Sequence, residues 1–225
     1  MKRYCLYLFI LIGISCSAEL KAQKNGTVYK GNDPAVRYTG RTLVSPDGSV
    51  AFDWVGTYLE TRFTGGKLSV KVSETGTSYY NVFVDGKLHK VVKVCGTDTL
   101  IHLVSGIDKR IHSLKIQKRS EGEFGKTTVH QFVLSGSGRL AEEPAVRTRH
   151  IEFIGNSLTC GYGTDGKHRD EPFLVETENC NLTFASMVAR YYDADYTLIA
   201  HSGRGAARNY GDSVRVSKVT MKDRM

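Results

Sequence analysis

The sequence predicts an N-terminal all-β jelly roll or β-sandwich followed by the first part of an α/β, flavodoxin-like domain. Three observations carry this prediction. Val28 to Leu134 reads as short strands separated by turns, with no helical window of ten or more residues. A small, polar, proline-terminated connector follows at Ser135 to Pro144. Beyond it the pattern switches to strand, loop, helix and strand, the opening of a parallel sheet.

The strands of the first part are visible as period-2 alternation. Leu68, Val70 and Val72 alternate with Ser69, Lys71 and Ser73, the mark of a half-buried strand. Tyr80, Val82 and Val84 alternate likewise, and Asp85-Gly86 turns the chain into Leu88–Val94 as a hairpin. Leu114 with Ile116, and Val129 to Leu134, supply further strands. Turn signals at Pro46-Asp47-Gly48, Gly65-Gly66, Gly106 and Glu121-Gly122 recur at sandwich spacing. In the second part, His150 to Ile154 is a short apolar strand running into Gly155-Asn156-Ser157. Asn181 or Thr183 caps a helix that places Phe184, Met187, Val188 and Tyr191 on one face, and Tyr196–Ala200 is the next strand. The expected organisation is therefore residues 1–22 as a leader, 23–145 as the sandwich with its linker, and 146–225 as the incomplete α/β unit.

The leader is read from Lys2 and Arg3 before an apolar run from Leu6 to Ile14 and a small residue at Ala22. That is a secretory signal peptide, too short to span a bilayer, which needs about 20 apolar residues. Cleavage after Ala22 is expected, with a lipid anchor on Cys16 as the alternative; either way the chain is exported to the periplasm or the outside and does not span the membrane. The formal charge of +8 includes a net +2 in the leader. The remaining bases are interspersed with acids and form no run of five, so a solvated surface is expected rather than nucleic-acid binding. Cys95, Cys160 and Cys180 fit no zinc spacing. Cys160 and Cys180 either pair or remain buried free thiols.

A serine directly after a buried parallel strand sits at the carboxyl edge of the sheet, where α/β proteins place ligands. Serine needs a base to become a nucleophile and donors for the oxyanion it creates. Strand and loop supply the position and one N–H, and no base. IEFIGNSLTCGYG, residues 151–163, resembles the first conserved block of the SGNH/GDSL hydrolase superfamily, and YTLIAHSGRGAARNYGD, residues 196–212, resembles its second. With VRYTGR, FDWVGTYLETRF and YYNVFVDGK upstream, the chain is similar to carbohydrate esterase family 2 from about residue 28 to residue 225. The resemblance implies a jelly roll joined to an SGNH hydrolase domain that removes acetyl groups from plant cell-wall polysaccharides, like an acetyl xylan esterase. Ser157 then matches the nucleophile and one oxyanion N–H, and Gly203 a second oxyanion N–H. No metal or organic cofactor is implied, and the partner is an acetylated polysaccharide or oligosaccharide.

The resemblance also places the catalytic histidine and the third oxyanion donor, an asparagine, in blocks beyond residue 225, so this chain by itself is expected to show little esterase activity. A non-enzymatic carbohydrate-binding or surface-interaction module is the alternative function. Many SGNH enzymes read Gly-Asp-Ser where Asn156 stands here, which keeps the hydrogen-bonding shape and drops the charge. Of the nearby histidines, His201 either lies near Ser157 or only packs, His168 sits beyond the first block, and His150 belongs at the opposite strand end. Trp54, Tyr58, Tyr79 and Tyr80 form either a sugar platform or ordinary core. Arg204, Arg208 and Asn209 either line the pocket or cap the next helix.

Overall fold

The computed structural model describes residues 26–142 and 145–225. The leader and Cys16 lie outside the described residues. Among the described residues no helix is long and apolar enough to cross a membrane.

Eight strands build one curled sheet: β1 (Thr27–Lys30), β2 (Val36–Thr39), β3 (Leu43–Val44), β4 (Val50–Phe52), β5 (Tyr58–Val84), β6 (Lys87–Lys118), β7 (Thr127–Ser135) and β8 (Arg139–Leu140). The two long strands form an antiparallel hairpin closed by Asp85 and Gly86, both at positive φ as a tight primed turn requires. The hairpin folds over, so that Tyr80–Val84 also pair with Lys118–Leu114. Leu68–Glu74 keep β6 on one edge and pair with β7 on the other. Gly65-Gly66 and Gly106, which read as turns in the sequence, are left-handed residues inside the continuous strands. Register shifts follow Thr64 and Val72, bending β5 so that it can change partners. The expected connector is also partly structured: β8 pairs with Phe63 and Thr64, and Leu140 is buried.

Curling buries the alternating apolar positions between two layers. Phe63, Leu68, Phe132 and Leu134 are fully buried, as are Val82, Leu103 and Leu114 to within 1 %. Each such side chain contributes roughly 1.5–3 kcal/mol by leaving water.

The second unit pairs β9 (His150–Gly155) in parallel with β10 (Asp195–Ala200), His150 opposite Asp195 and Gly155 opposite Ala200. Between them lie α1 (Ser157–Cys160) and α2 (Phe184–Tyr191). Thr183 is the N-cap residue of α2, though its hydroxyl bonds Cys180 O at 2.9 Å instead of a helix N–H. The face expected to pack turns outward: Phe184, Met187 and Tyr191 are half or more exposed, while Ala185, Ser186 and Ala189 are buried. Small residues let the helix approach β10 closely, and the larger ones do not fit there.

The α/β unit leans on the sandwich through a shared apolar cluster. Val55 and Tyr58 of the sandwich meet Cys160, Cys180, Ala185, Ala189, Tyr196 and Leu198. Gly56, at φ +74°, lies so close to Leu198 that a Cβ would sit 2.6 Å from its Cδ1. Around this cluster Asp195 accepts from Arg37 at 2.7 Å, Tyr58 at 2.7 Å and Arg147 at 2.8 Å.

Candidate active site

Because β9 and β10 are parallel and in register, the loops after Gly155 and Ala200 leave the sheet at the same edge. Two segments far apart in sequence are thereby brought together. Asn156 leaves the strand in extended conformation, and its Oδ1 accepts the Leu158 N–H at 3.2 Å, capping α1. The cap needs an acceptor and not a charge, so asparagine serves where an aspartate would. Ser157 is the first helical residue and is half-buried. Its carbonyl accepts from Gly161 at 3.0 Å and Tyr162 at 3.1 Å, closing α1 in one turn. Gly161 must be glycine on two counts: φ is +86°, and a Cβ would lie 2.5 Å from the Asn179 backbone.

Ser157 and Gly203 line one cavity of about 600 Å³, together with Asn156, Tyr162, Arg204 and Tyr210 among others. Gly203 sits at φ +73° with open space where its Cβ would be, so the backbone conformation alone favours glycine there. Among the described residues, neither the Ser157 N–H nor the Gly203 N–H is taken up by a protein acceptor. The Gly203 loop is held by its neighbours: Ser202 N–H donates to Glu121 Oε2 at 2.7 Å, and Tyr210 N–H to Gly203 O at 2.9 Å. Arg204 and Arg208 bring positive charge to the cavity. Asn209 does not line it; its side chain ties Gly205 N–H at 3.2 Å to Val219 O at 2.8 Å.

No described histidine borders this cavity. His150 is at the opposite end of β9, bonded to Thr197 Oγ1 at 2.9 Å. His168 borders a separate cavity with Glu171 and Phe173. His201 turns away from Ser157 into a third cavity with Trp54, where it contacts Glu123 and lies 3.8 Å from Glu121.

The aromatic residues are sorted differently from the sequence expectation. Tyr58 and Tyr80 are core residues, 1 % and 3 % exposed, because their strands face the packed layers. Tyr79 bonds Glu176 at 3.2 Å, and Trp54 stacks under Arg41 beside the His201 cavity. The exposed rings beside Ser157 are Tyr162 and Tyr210, 47 % and 93 % exposed. Tyr162 is held flat against Phe173, ring centroids 3.6 Å apart, and Phe173 in turn lies 5.6 Å from Phe124. Tyr162 lies in the same 151–163 segment as Ser157, five residues after it, which is the signal that could have found it.

Cys160 and Cys180 are buried free thiols, not a disulfide. Cys160, Glu121 and Glu178 place their ligand atoms within 4.8 Å of one another, the one such grouping among the described residues. Burial, reinforced by the charge of Glu121, pushes the Glu178 carboxyl up to about 8 and the Cys160 thiol well above its usual range.

Residues 38–144 match the family model described as "Carbohydrate esterase 2 N-terminal". The chain is 34 % identical over 180 residues to the cellulase/esterase CelE of Acetivibrio thermocellus, covering 80 % of this chain and 22 % of the relative. It is 27 % identical over 180 residues to an acetylxylan esterase/glucomannan deacetylase of Cellvibrio japonicus, covering 80 % of this chain and 50 % of that one. Among solved structures, a family two carbohydrate esterase from Clostridium thermocellum in complex with cellohexaose superposes with a TM-score of 0.76 at 34 % identity. That match covers 80 % of this chain and 55 % of the other. The chain thus spans half or less of the curated relatives it matches. It is a relative of the family 2 carbohydrate esterases: its sandwich matches the N-terminal model of that family and is joined to the α/β unit that carries Ser157.

Proposed function

We propose that the protein is a carbohydrate O-acetyl esterase in which Ser157 is the nucleophile and the N–H groups of Ser157 and Gly203 receive the oxyanion. The observation that carries this reading is that both residues line one cavity at the shared strand edge with their N–H groups uncommitted. Ser157 Oγ attacks the acetyl carbonyl, its proton passing to a histidine supplied from outside the described residues. The tetrahedral oxyanion is held by the two N–H groups, the sugar hydroxyl leaves with a proton, and an acetyl-enzyme remains. Water then releases acetate. Tyr162 and Tyr210 offer flat faces on which a sugar ring stacks beside the ester. The relatives that act on acetylated xylan and glucomannan support a polysaccharide substrate.

The test compares two proteins on p-nitrophenyl acetate and acetylated xylan. The 225-residue chain is expected to release product no faster than its Ser157→Ala variant. A longer protein that joins this chain to the further hydrolase blocks implied by the resemblance is expected to turn over both substrates. If the 225-residue chain is itself active and Ser157→Ala abolishes that activity, the external base is wrong; if the extended protein is silent, the esterase reading fails. A second reading rests on the exposed Tyr162–Phe173 stack: retention on insoluble xylan or cellulose by an inactive protein would make the cavity a sugar-binding site without hydrolysis.

A further inference from the structure

The last strand of the long hairpin ends in a charged run that is buried. Lys118, Arg119, Ser120 and Glu121 are all buried, none more than 2 % exposed. Their charges find partners largely on the α/β unit. Arg119 donates to Glu178 O at 2.7 Å and Glu176 O at 3.0 Å, and pairs with Asp165. The Glu121 N–H donates to Glu178 Oε2 at 3.0 Å. Lys118 turns back to the sandwich, donating to Gly125 O at 3.0 Å.

The Glu121 carboxylate is placed differently. Its Oε2 accepts the Ser202 N–H at 2.7 Å and lies 3.7 Å from Cys160 Sγ, whose thiol donates to it. Ser202 precedes Gly203, and Cys160 closes the short helix that Ser157 opens. One oxygen of the sandwich therefore touches both backbone segments that carry the uncommitted N–H groups. A carboxylate to backbone N–H bond is charge-assisted and shielded from water here, which makes it one of the stronger constraints available to a loop. Burial, with the charge of Glu121, raises the Glu178 carboxyl to about 8, which favours its uncharged form beside Glu121.

We propose that Glu121 is a positioning residue of the site: by holding the Ser202 N–H it fixes the direction of the Gly203 N–H relative to Ser157, making the β-sandwich part of the oxyanion framework. The role given to Gly203 rests on the esterase reading; the constraint on the loop does not.

Amide hydrogen exchange and amide shifts in the ¹⁵N-labelled 225-residue chain test this without any turnover. In Glu121→Ala, exchange at Ser202 is expected to rise at least about ten-fold and the Gly203 amide shift to move, while Phe132 and Leu134 in the sandwich core exchange as in wild type. Glu121→Gln keeps an acceptor and is expected to restore part of the protection, with the Ser202 amide proton shifted upfield as the bond to a charge is lost. Should the alanine variant not fold, the glutamine variant decides by the same two signals. Wild-type exchange and shift at Ser202 would overturn the proposal, and so would a loss of protection shared equally by Phe132 and Leu134. An extended protein without esterase activity would sink the functional reading and leave these amide signals untouched.

Discussion

Ser157→Ala is expected to lower acetyl-ester turnover by at least about 10³-fold in a longer protein that joins this chain to the further hydrolase blocks implied by the resemblance, with KM little changed. A serine mechanism without its nucleophile retains only what oxyanion donors and binding contribute, and losses of about 10³ to 10⁶ in kcat are typical of such removals. The variant is a clean probe here because Ser157 contributes little else to the fold. The side chain that caps α1 is that of Asn156, and the bonds to Gly161 and Tyr162 use the Ser157 carbonyl, which alanine keeps. Stability should therefore stay within about 0.5 kcal/mol of wild type, the range of substitutions away from special features. Steady-state kinetics on acetylated xylan, with thermal melting as the control, checks both halves. A variant that loses activity together with its cooperative melt would not implicate the hydroxyl.

Asp195→Ala is expected to cost about 3–5 kcal/mol of stability, the scale of breaking a buried charge network from one side. Asp195 is buried at the start of β10 and gathers Arg37 and Tyr58 from the sandwich and Arg147 from the segment entering β9. Removing it leaves two guanidinium groups facing each other across the join, with Glu60 as their remaining shared partner. The same network predicts a pH dependence. Burial works against the Asp195 charge, but hydrogen bonds from Arg37, Tyr58 and Arg147 outweigh it and hold the carboxyl down at about 2. Its folded-state value lies below the unfolded value of about 3.9, so the contribution is fully present above that range. It is lost as pH falls from about 4 toward 2. Urea denaturation at pH 7 and pH 3 should show wild type losing part of its advantage over Asp195→Asn at the lower pH. A constant difference between the two would assign the stability of the join to the Val55–Tyr58–Leu198 packing instead.

The sequence makes legible what depends on local pattern. Asp85-Gly86, the β5 alternation, and β9 running into Gly155-Asn156-Ser157 are short-range signals, and the structure forms them as expected. Ser157 and Gly203 come together because parallel pairing of β9 and β10 was itself implied by strand, loop, helix and strand. What sequence hides depends on partners distant in the chain. Of Lys118 to Glu121 the sequence shows only the turn signal at Glu121-Gly122, since nothing local shows that Glu178, Asp165 and Ser202 wait to receive the run. Gly65-Gly66 and Gly106 read as turns because a bulge and a turn ask for the same left-handed glycine. The outward face of α2 is apolar at helical spacing, and only the close approach to β10 shows that Ala185 and Ala189 are the packing residues. Tyr58 and Tyr80 differ from Tyr162 and Tyr210 in which side of a layer they occupy, and aromatic content alone carries no such label.

The proposed mechanism requires Ser157 to become acetylated while the ester is cleaved. Mass spectrometry of the extended protein, acid-quenched during turnover of p-nitrophenyl acetate and digested, tests it most directly. An acetyl adduct is expected on the peptide containing Ser157, formed within the first turnover and missing from Ser157→Ala. Acetyl groups found only on other residues, or full turnover by the alanine variant, would contradict it.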